Sequence, residues 1–391
     1  MADQSLVFSF FLIFTGAAIV ASLALYTRQP LLVAYIVLGA ILGPYGMELV
    51  TDTRLLSDIS HVGIIFLLFL LGLDMQPSHL LHMLKTAIWV AIISSLVFFT
   101  LGYGVGFAFG YTQTENTIIG IAVMFSSTII GIKLLPTTVL HHRHTGELVV
   151  GLLLLQDIIA IMVLLFLYSG PGERSGDTLM QFAKTATALP LIILGAFFFV
   201  KYVLLKLIQT FDRFHEYIFL LAIGWCLGLA EIASLSGLSA EIGAFVAGVS
   251  IATSPIAQYI ATSLKPLRDF FLILFFFSIG ASFNLGLISQ IAIPAIILAL
   301  LVLAVKPVVF RLLLSRIKES SSQGWEVGFR LGQISEFSLL IAYIATGATI
   351  IGEEASHVIQ ATAILTFLLS SYVVVFNYPS PIAVSDKLRR D

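Results

Sequence analysis

Asp157 stands directly behind Gln156 in the run from Leu148 to Leu167, which is otherwise almost wholly apolar. A carboxylate at the centre of a membrane-spanning helix costs about 2.5–3.5 kcal/mol on insertion scales, so it persists there with a function or a partner. Burial favours the protonated acid and a neighbouring cation favours the carboxylate. A carboxyl poised between these two influences can trade a proton for a monovalent cation, which is the minimum chemistry of exchange. The structural alternative is an acid hydrogen-bonded to the next helix. Gln156 does not titrate; its amide either offers a carbonyl oxygen to a cation or orients Asp157.

Other polar residues interrupt apolar runs further along the chain. Lys306 lies within Ile297 to Phe310 and precedes Pro307. One reading sets it beside Asp157; the alternative is a lysine snorkelling to the interface. Glu336 follows Gln333, Ile334 and Ser335, and suits either compensation of a half-helix end or lining of an ion path. Ser126, Ser127 and Thr128 form a hydroxyl cluster in an earlier run. Ser127 and Thr128 are candidate ion ligands, although such residues are also common at helix contacts in membranes. Ser126, Ser335 and Gln333 are accessory candidates. Glu241 precedes Gly243-Ala244-Phe245-Val246-Ala247-Gly248; it reads as an interfacial charge, with cation attraction at an outer mouth as the alternative. The two glycines of that segment signal close helix packing. Asp74 reads as a charge at the end of a span. His141, His142 and His144 surround Arg143 and read as a solvated loop, with no cysteine beside them to complete a zinc site.

The elements that must position these residues are helices in a bilayer. Of 391 residues, 59% are hydrophobic and 11% are charged, against about 25% charged in soluble domains. The fold class is therefore all-α and polytopic. Runs of about 20 apolar residues span the hydrocarbon core, and thirteen are expected: 6–26, 30–49, 57–75, 86–110, 115–136, 147–168, 181–208, 216–235, 238–253, 264–283, 288–314, 325–348 and 355–377. Met1 to Ser5 holds Asp3 and no Lys or Arg, so the first run reads as a retained span, not a cleaved signal. Thirteen spans put the termini on opposite faces. One set of loops holds most of the basic residues, among them Lys85, Arg143, Arg213, Lys265, Arg316 and Arg390. The positive-inside rule then sets the carboxyl terminus in the cytoplasm and the amino terminus outside.

A weak internal symmetry follows. Repeat one runs over about 6–168, a connector helix over 181–208 and repeat two over 216–377, with 1–380 as the transmembrane domain and 381–391 as a short cytoplasmic tail. The fifth and twelfth runs occupy corresponding places in the two inverted six-helix repeats, and both carry mid-span polar clusters. Such pairs are the sequence pointer to the broken helices of a transporter site, because free backbone groups at membrane depth are tolerated only where they meet polar partners.

Other classes lose ground on the same residues. The net charge of −2 and the lack of a basic stripe give no reason to expect nucleic acid. The single cysteine, Cys226, rules out an internal disulfide. No HExxH, GxSxG or second deep aspartate supports an intramembrane hydrolase. A cation channel stays as the alternative of another class, although the chain has no TVGYG-type filter. An osmotic sensor would not require Asp157 and Lys306. No cofactor is expected. Any nucleotide-sensing regulatory domain is expected to be a separate cytoplasmic subunit.

In order and spacing, these segments resemble the cation:proton antiporter-2 family, particularly its Kef-type potassium/proton members. The segments are Gly39 to Pro44, Phe69 to Asp74, Ser126 to Thr128, Leu155 to Asp157, Gly243 to Gly248, Phe275 to Gly280, Lys306, and Gly332 to Phe337. The resemblance implies a thirteen-span homodimer of the cell (inner) membrane, with a dimerisation domain and a mobile core. It also implies crossing broken helices at spans five and twelve, and elevator-like alternating access. It places the ion-binding aspartate on Asp157, the core lysine on Lys306 and the break-compensating acid on Glu336. Electrogenic sodium/proton relatives carry two adjacent aspartates where this chain has Gln156-Asp157, which favours K⁺ over Na⁺ as the ion exchanged for H⁺. A Na⁺/H⁺ antiporter of the same fold is the second alternative.

Overall fold

A computed structural model describes residues 6–27, 29, 31–50, 53–74, 77–134, 144–168, 178–211, 213–236, 238 and 240–380. Regular structure among them is helical, apart from an isolated bridge at Ser380. The helices are α1 (Leu6–Tyr26), α2 (Leu31–Leu42), α3 (Thr53–Asp74), α4 (Pro77–Ala108), α5 (Gln113–Met124), α6 (Thr128–Lys133) and α7 (His144–Tyr168). α8 (Thr178–Phe199) continues through a π-helical turn (Val200–Leu204) into α9 (Leu205–Thr210). Then follow α10 (His215–Leu235), α11 (Ala240–Ala252), α12 (Ala257–Ala281), a 3₁₀ turn (Leu285–Leu287), α13 (Ile288–Arg316), α14 (Ser321–Arg330), α15 (Glu336–Gly347) and α16 (Glu353–Asn377). Most of these segments are apolar around their whole circumference, as helices immersed in lipid or protein must be. Six stretches among the described residues are long and apolar enough to cross a membrane: Val7–Tyr26, Ile88–Ala108, Thr187–Thr210, Glu216–Leu235, Leu285–Arg316 and Glu353–Asn377.

The chain divides into two compact units. One comprises Met1–Thr51, His82–Ala160 and Phe276–Asp391; the other comprises Asp52–Leu81 and Ile161–Phe275. The second unit is built on α3 and α11. A Cβ on Gly72 would stand 2.5 Å from the Phe245 carbonyl oxygen, and one on Gly248 would stand 2.1 Å from that of Phe69. The two glycines let the backbones touch, as small residues do in membrane helix pairs. Around this contact Phe66, Phe69, Ala230, Ala233, Ala244 and Ala247 form part of one buried cluster.

The first unit has a matching close approach between α2 and the end of α12. A Cβ on Gly39 would stand 2.0 Å from the Phe277 carbonyl oxygen, and one on Gly280 would stand 1.9 Å from that of Ile36. α13 and α16 pack closely in the same unit, with α14 and α15 against them. Here, among the described residues, two helices are interrupted inside the packed unit. The helix of α5 stops at Met124 and restarts at Thr128, and that of α14 stops at Arg330 and restarts at Glu336. The breaks expected from Ser126-Ser127-Thr128 and from Gly332 to Glu336 are thus present.

Candidate functional site

The local chemistry of each break explains why the helix stops and resumes there. Phe125 is extended, at φ −95° and ψ 153°. Ser127 then accepts the Ile130 amide proton on its hydroxyl oxygen at 3.2 Å, the position an N-cap serves. Ser335, extended at φ −94° and ψ 157°, caps α15 by accepting from the Phe337 amide at 3.1 Å. Both restarts are therefore serine caps. Thr128 and Glu336 are the first helical residues after them.

The two breaks meet at Lys306. Its Nζ donates to the Phe125 carbonyl oxygen at 2.7 Å, to the Gln333 carbonyl oxygen at 3.0 Å and to the Ser126 hydroxyl at 3.2 Å. Three ammonium protons find three acceptors. The same atom lies 5.1 Å from the centre of the Phe98 ring, a cation–π contact. Lys306 is 0% exposed, so the snorkelling alternative does not hold. α5 and α14 both end at the breaks, and a helix carries about half a negative charge at its carboxyl end. One ammonium thus serves two negative ends and the carbonyls that interruption left without helical partners. Glu336 is buried in the first turn of α15, where a carboxylate complements the positive end.

Other side chains complete the join. The Gln156 amide oxygen accepts the Ser126 backbone N–H at 3.0 Å. That carbonyl, a candidate cation ligand from sequence, is spent on the first break. The Ser126 hydroxyl donates to the Leu331 carbonyl oxygen at 2.8 Å. Gln333 donates from Nε2 to the Arg330 carbonyl oxygen at 3.0 Å, with a longer contact to that of Ser127 at 3.4 Å. Its Oε1 accepts from Ser370 at 2.7 Å. The Ile334 amide donates to the Thr366 hydroxyl at 3.3 Å, and the Ser338 hydroxyl donates to the Ala122 carbonyl oxygen. Buried polar backbone left unpaired costs roughly 1–3 kcal/mol per group, so this set of partners is what makes two broken helices tolerable.

Ser126, Ser127, Gln156, Lys306, Gln333, Ser335 and Glu336 thus gather at the two breaks. The Asp157 backbone lies in α7 directly after Gln156; its side chain lies outside the described side chains, as do those of Glu241, Asp74 and His144. Residues 381–391 and His141, His142 and Arg143 lie outside the described residues.

Sequence reasoning passed over Phe98, Arg330, Thr366 and Ser370. Arg330 is buried, donating to Glu326 at 2.8 Å, to the Leu134 carbonyl oxygen at 2.9 Å and to that of Pro379 at 2.8 Å. It ties the end of α6 to α14 and to the exit of α16. A signal for Thr366 and Ser370 was legible: Thr362, Thr366 and Ser370 recur every four residues and so share one face of α16.

Residues 10–376 match the family described as "Sodium/hydrogen exchanger, transmembrane". The chain is 28% identical to K(+) efflux antiporter 4 of Arabidopsis thaliana over 87% of its own length and 58% of that protein's. It is 27% identical to the glutathione-regulated potassium-efflux system protein KefC of Cronobacter sakazakii, over 93% of its own length and 59% of the other's. The chain therefore spans less than two thirds of each of these relatives. Among solved structures, the sodium proton antiporter MjNhaP1 from Methanocaldococcus jannaschii superposes with a TM-score of 0.70 at 18% identity, covering 94% of both chains. That last likeness concerns the fold.

Proposed function

The chain belongs to the sodium/hydrogen exchanger, transmembrane, family, and from that premise we propose that it is a secondary-active antiporter exchanging a monovalent cation, K⁺ in preference to Na⁺, for H⁺. The observation that carries the reading is the Lys306 ammonium fixed on carbonyls of two broken helices, in the same compact unit as the Asp157 backbone. In the proposed cycle, Asp157 releases its proton to water as a cation enters, and the carboxylate holds the cation. On the opposite face the cation leaves and the acid is restored. One titrating carboxyl carries one proton or one cation, so the exchange is one for one. Gln156 acts by holding the first break and with it the wall of the site, Ser127 and Thr128 border the site, and Glu336 balances the second break.

The preference for K⁺ rests on Gln156 in place of a second acid and on the names of the two relatives, each of which concerns potassium efflux. The proposed topology has thirteen spans in two inverted repeats, the amino terminus outside and the carboxyl terminus in the cytoplasm. The proposed assembly is a homodimer in the cell membrane. The unit that holds both breaks is the body that moves in elevator-like alternating access, and a separate cytoplasmic subunit supplies regulation.

Proteoliposomes with an internal pH dye test the reading. External K⁺ drives proton movement with the wild type and not with Asp157→Asn; Na⁺, Rb⁺ and Li⁺ in the same assay rank the ions. Full exchange by Asp157→Asn contradicts the assignment of the carrier. Proton-independent flux far above carrier turnover supports a channel instead.

A further inference from the structure

A second buried cation serves the first broken helix from its far end. Among the described residues, Lys306 is the buried lysine and Arg330 the buried arginine. Lys306 meets α5 where that helix stops; Arg330 meets α6, the half that restarts. The Leu134 amide donates to the Ile130 carbonyl oxygen at 3.1 Å, so Leu134 closes the last turn of α6. Its own carbonyl oxygen accepts from Nη1 of Arg330 at 2.9 Å, and a cation there matches the negative carboxyl end of a helix. The guanidinium is itself fixed. Nε and Nη2 donate to Oε1 of Glu326 at 3.1 and 2.8 Å, and Nη2 also reaches the Pro379 carbonyl oxygen at 2.8 Å. The backbone of the same residue belongs to the second break, because its carbonyl oxygen accepts from Nε2 of Gln333 at 3.0 Å.

α6 needs such a hold. It has 6 residues, fewer than two turns, and a helix so short gains little from its own hydrogen bonds and is placed by what touches it. Ser127 caps its start and Arg330 holds its end. Between them, a Cβ on Gly131 would stand 3.1 Å from the Leu153 side chain and 4.0 Å from the Arg330 carbonyl oxygen. α6 is therefore wedged between the end of α14 and α7, one turn before Gln156 and Asp157. A body this short moves as one piece, so the position of its last turn sets that of its first. In that first turn Thr128 is half-buried, whereas Ser126 and Ser127 are fully buried.

We infer that Arg330 is a positioning residue for cation selectivity: by holding the carboxyl end of α6 it sets the place of Thr128, and with it the spacing of the oxygens offered to the ion. On the antiport reading, on which this rests, Thr128 borders the ion site; Arg330 touches no ion itself. K⁺ and Na⁺ carry the same charge and differ in size, so an oxygen held at a fixed spacing tells them apart, and one free to close in does not. The guanidinium suits the task because its planar fork reaches Glu326 and two carbonyls in separate directions at once. An ammonium on a flexible stem does not reproduce that fixed geometry.

Arg330→Lys keeps the charge beside Glu326 and gives up the simultaneous hold on Leu134 and Pro379. In proteoliposomes, proton movement driven by K⁺ and by Na⁺ over a range of concentrations gives an apparent KM for each ion. The ratio of the two is expected to shift about fivefold in Arg330→Lys, the effect of one net hydrogen bond. General destabilisation is controlled by Gly16→Ala, whose Cβ crowds Leu38 at 2.9 Å where α1 meets α2; it lowers Tm and leaves the ratio in place. Should Arg330→Lys not fold, Arg330→Gln combined with Glu326→Gln, which strands no charge, gives the same readouts. A wild-type ratio in the Arg330 variant, or an equal shift in Gly16→Ala, overturns the inference. A wild type without cation-driven proton movement overturns the antiport reading instead. The hold on α6 is then judged by hydrogen exchange of the 130–134 amides in detergent: faster exchange in Arg330→Lys upholds it, and equal exchange overturns it.

Discussion

The two broken helices are built to one plan and finished with different chemistry. Each opens on a capping box: Thr112 with Glu115 for α5, and Ser320 with Gln323 for α14. Each restarts on a serine cap, Ser127 or Ser335, and each gives a backbone carbonyl to Lys306. The first break, Phe125 to Ser127, holds no charge of its own and takes its amide partner from Gln156 on α7. The second is longer and leans on the hydroxyls of α16, Thr366 and Ser370, with Glu336 at its restart. The lesson of the difference is that interrupting a helix at depth requires only that each freed group be met. The partner's identity is open, and that freedom lets one break go without a charge of its own while the other carries Glu336.

Removing the shared partner is expected to have the largest effect, since it harms both breaks at once. Lys306→Met leaves the Phe125 and Gln333 carbonyls buried without their donor and costs about 3–5 kcal/mol. Thermal unfolding in detergent shows a large fall in Tm, and exchange is abolished. A stable, active Lys306→Met would mean that the breaks do not depend on the ammonium.

Next comes the approach of α14 to α13, which affects the second break alone. A Cβ on Gly328 would stand 2.6 Å from the Pro307 Cα, beside Lys306. Gly328→Ala is expected to cost about 2–3 kcal/mol by overpacking and to slow exchange, as measured by Tm and initial rate together.

Gln156→Leu orphans the Ser126 amide of the first break, and Thr366→Val orphans the Ile334 amide of the second; each is expected to cost about 1–3 kcal/mol. The two should differ in function. Gln156→Leu disturbs the residue preceding Asp157 and raises the apparent KM for the cation, whereas Thr366→Val lowers stability with less effect on KM. Equal KM effects would erase the functional distinction between the breaks.

The smallest effects are expected from the caps. Ser127→Ala and Ser335→Ala each remove about 1 kcal/mol. Chemical denaturation of the double variant tells whether the breaks are independent. A loss greater than the sum indicates that they are coupled through Lys306.

Much of this architecture was legible in the residues, for identifiable reasons. Apolar runs announce helices because lipid leaves the backbone no alternative, and the hydroxyl and amide clusters at Ser126 to Thr128 and Gly332 to Glu336 fell where the helices stop. The glycine motifs find each other in space, Gly39 opposite Gly280 and Gly72 opposite Gly248. Two of the three acceptors of Lys306 were hidden because they are backbone carbonyls, of Phe125 and Gln333, which every residue type possesses. Gln156 was visible as a polar neighbour of Asp157, but its commitment to the Ser126 amide is a contact across 30 positions that no local pattern encodes.

In the proposed cycle one carboxyl, Asp157, alternates between a proton and a cation. The most direct measurement is proton release from purified protein in weakly buffered detergent solution on addition of KCl, with choline chloride as the ionic-strength control. About one proton per chain is expected from the wild type near the pH at which the site titrates, and none from Asp157→Asn. Release that persists undiminished in Asp157→Asn, or cation binding by the wild type with no proton released, would contradict it.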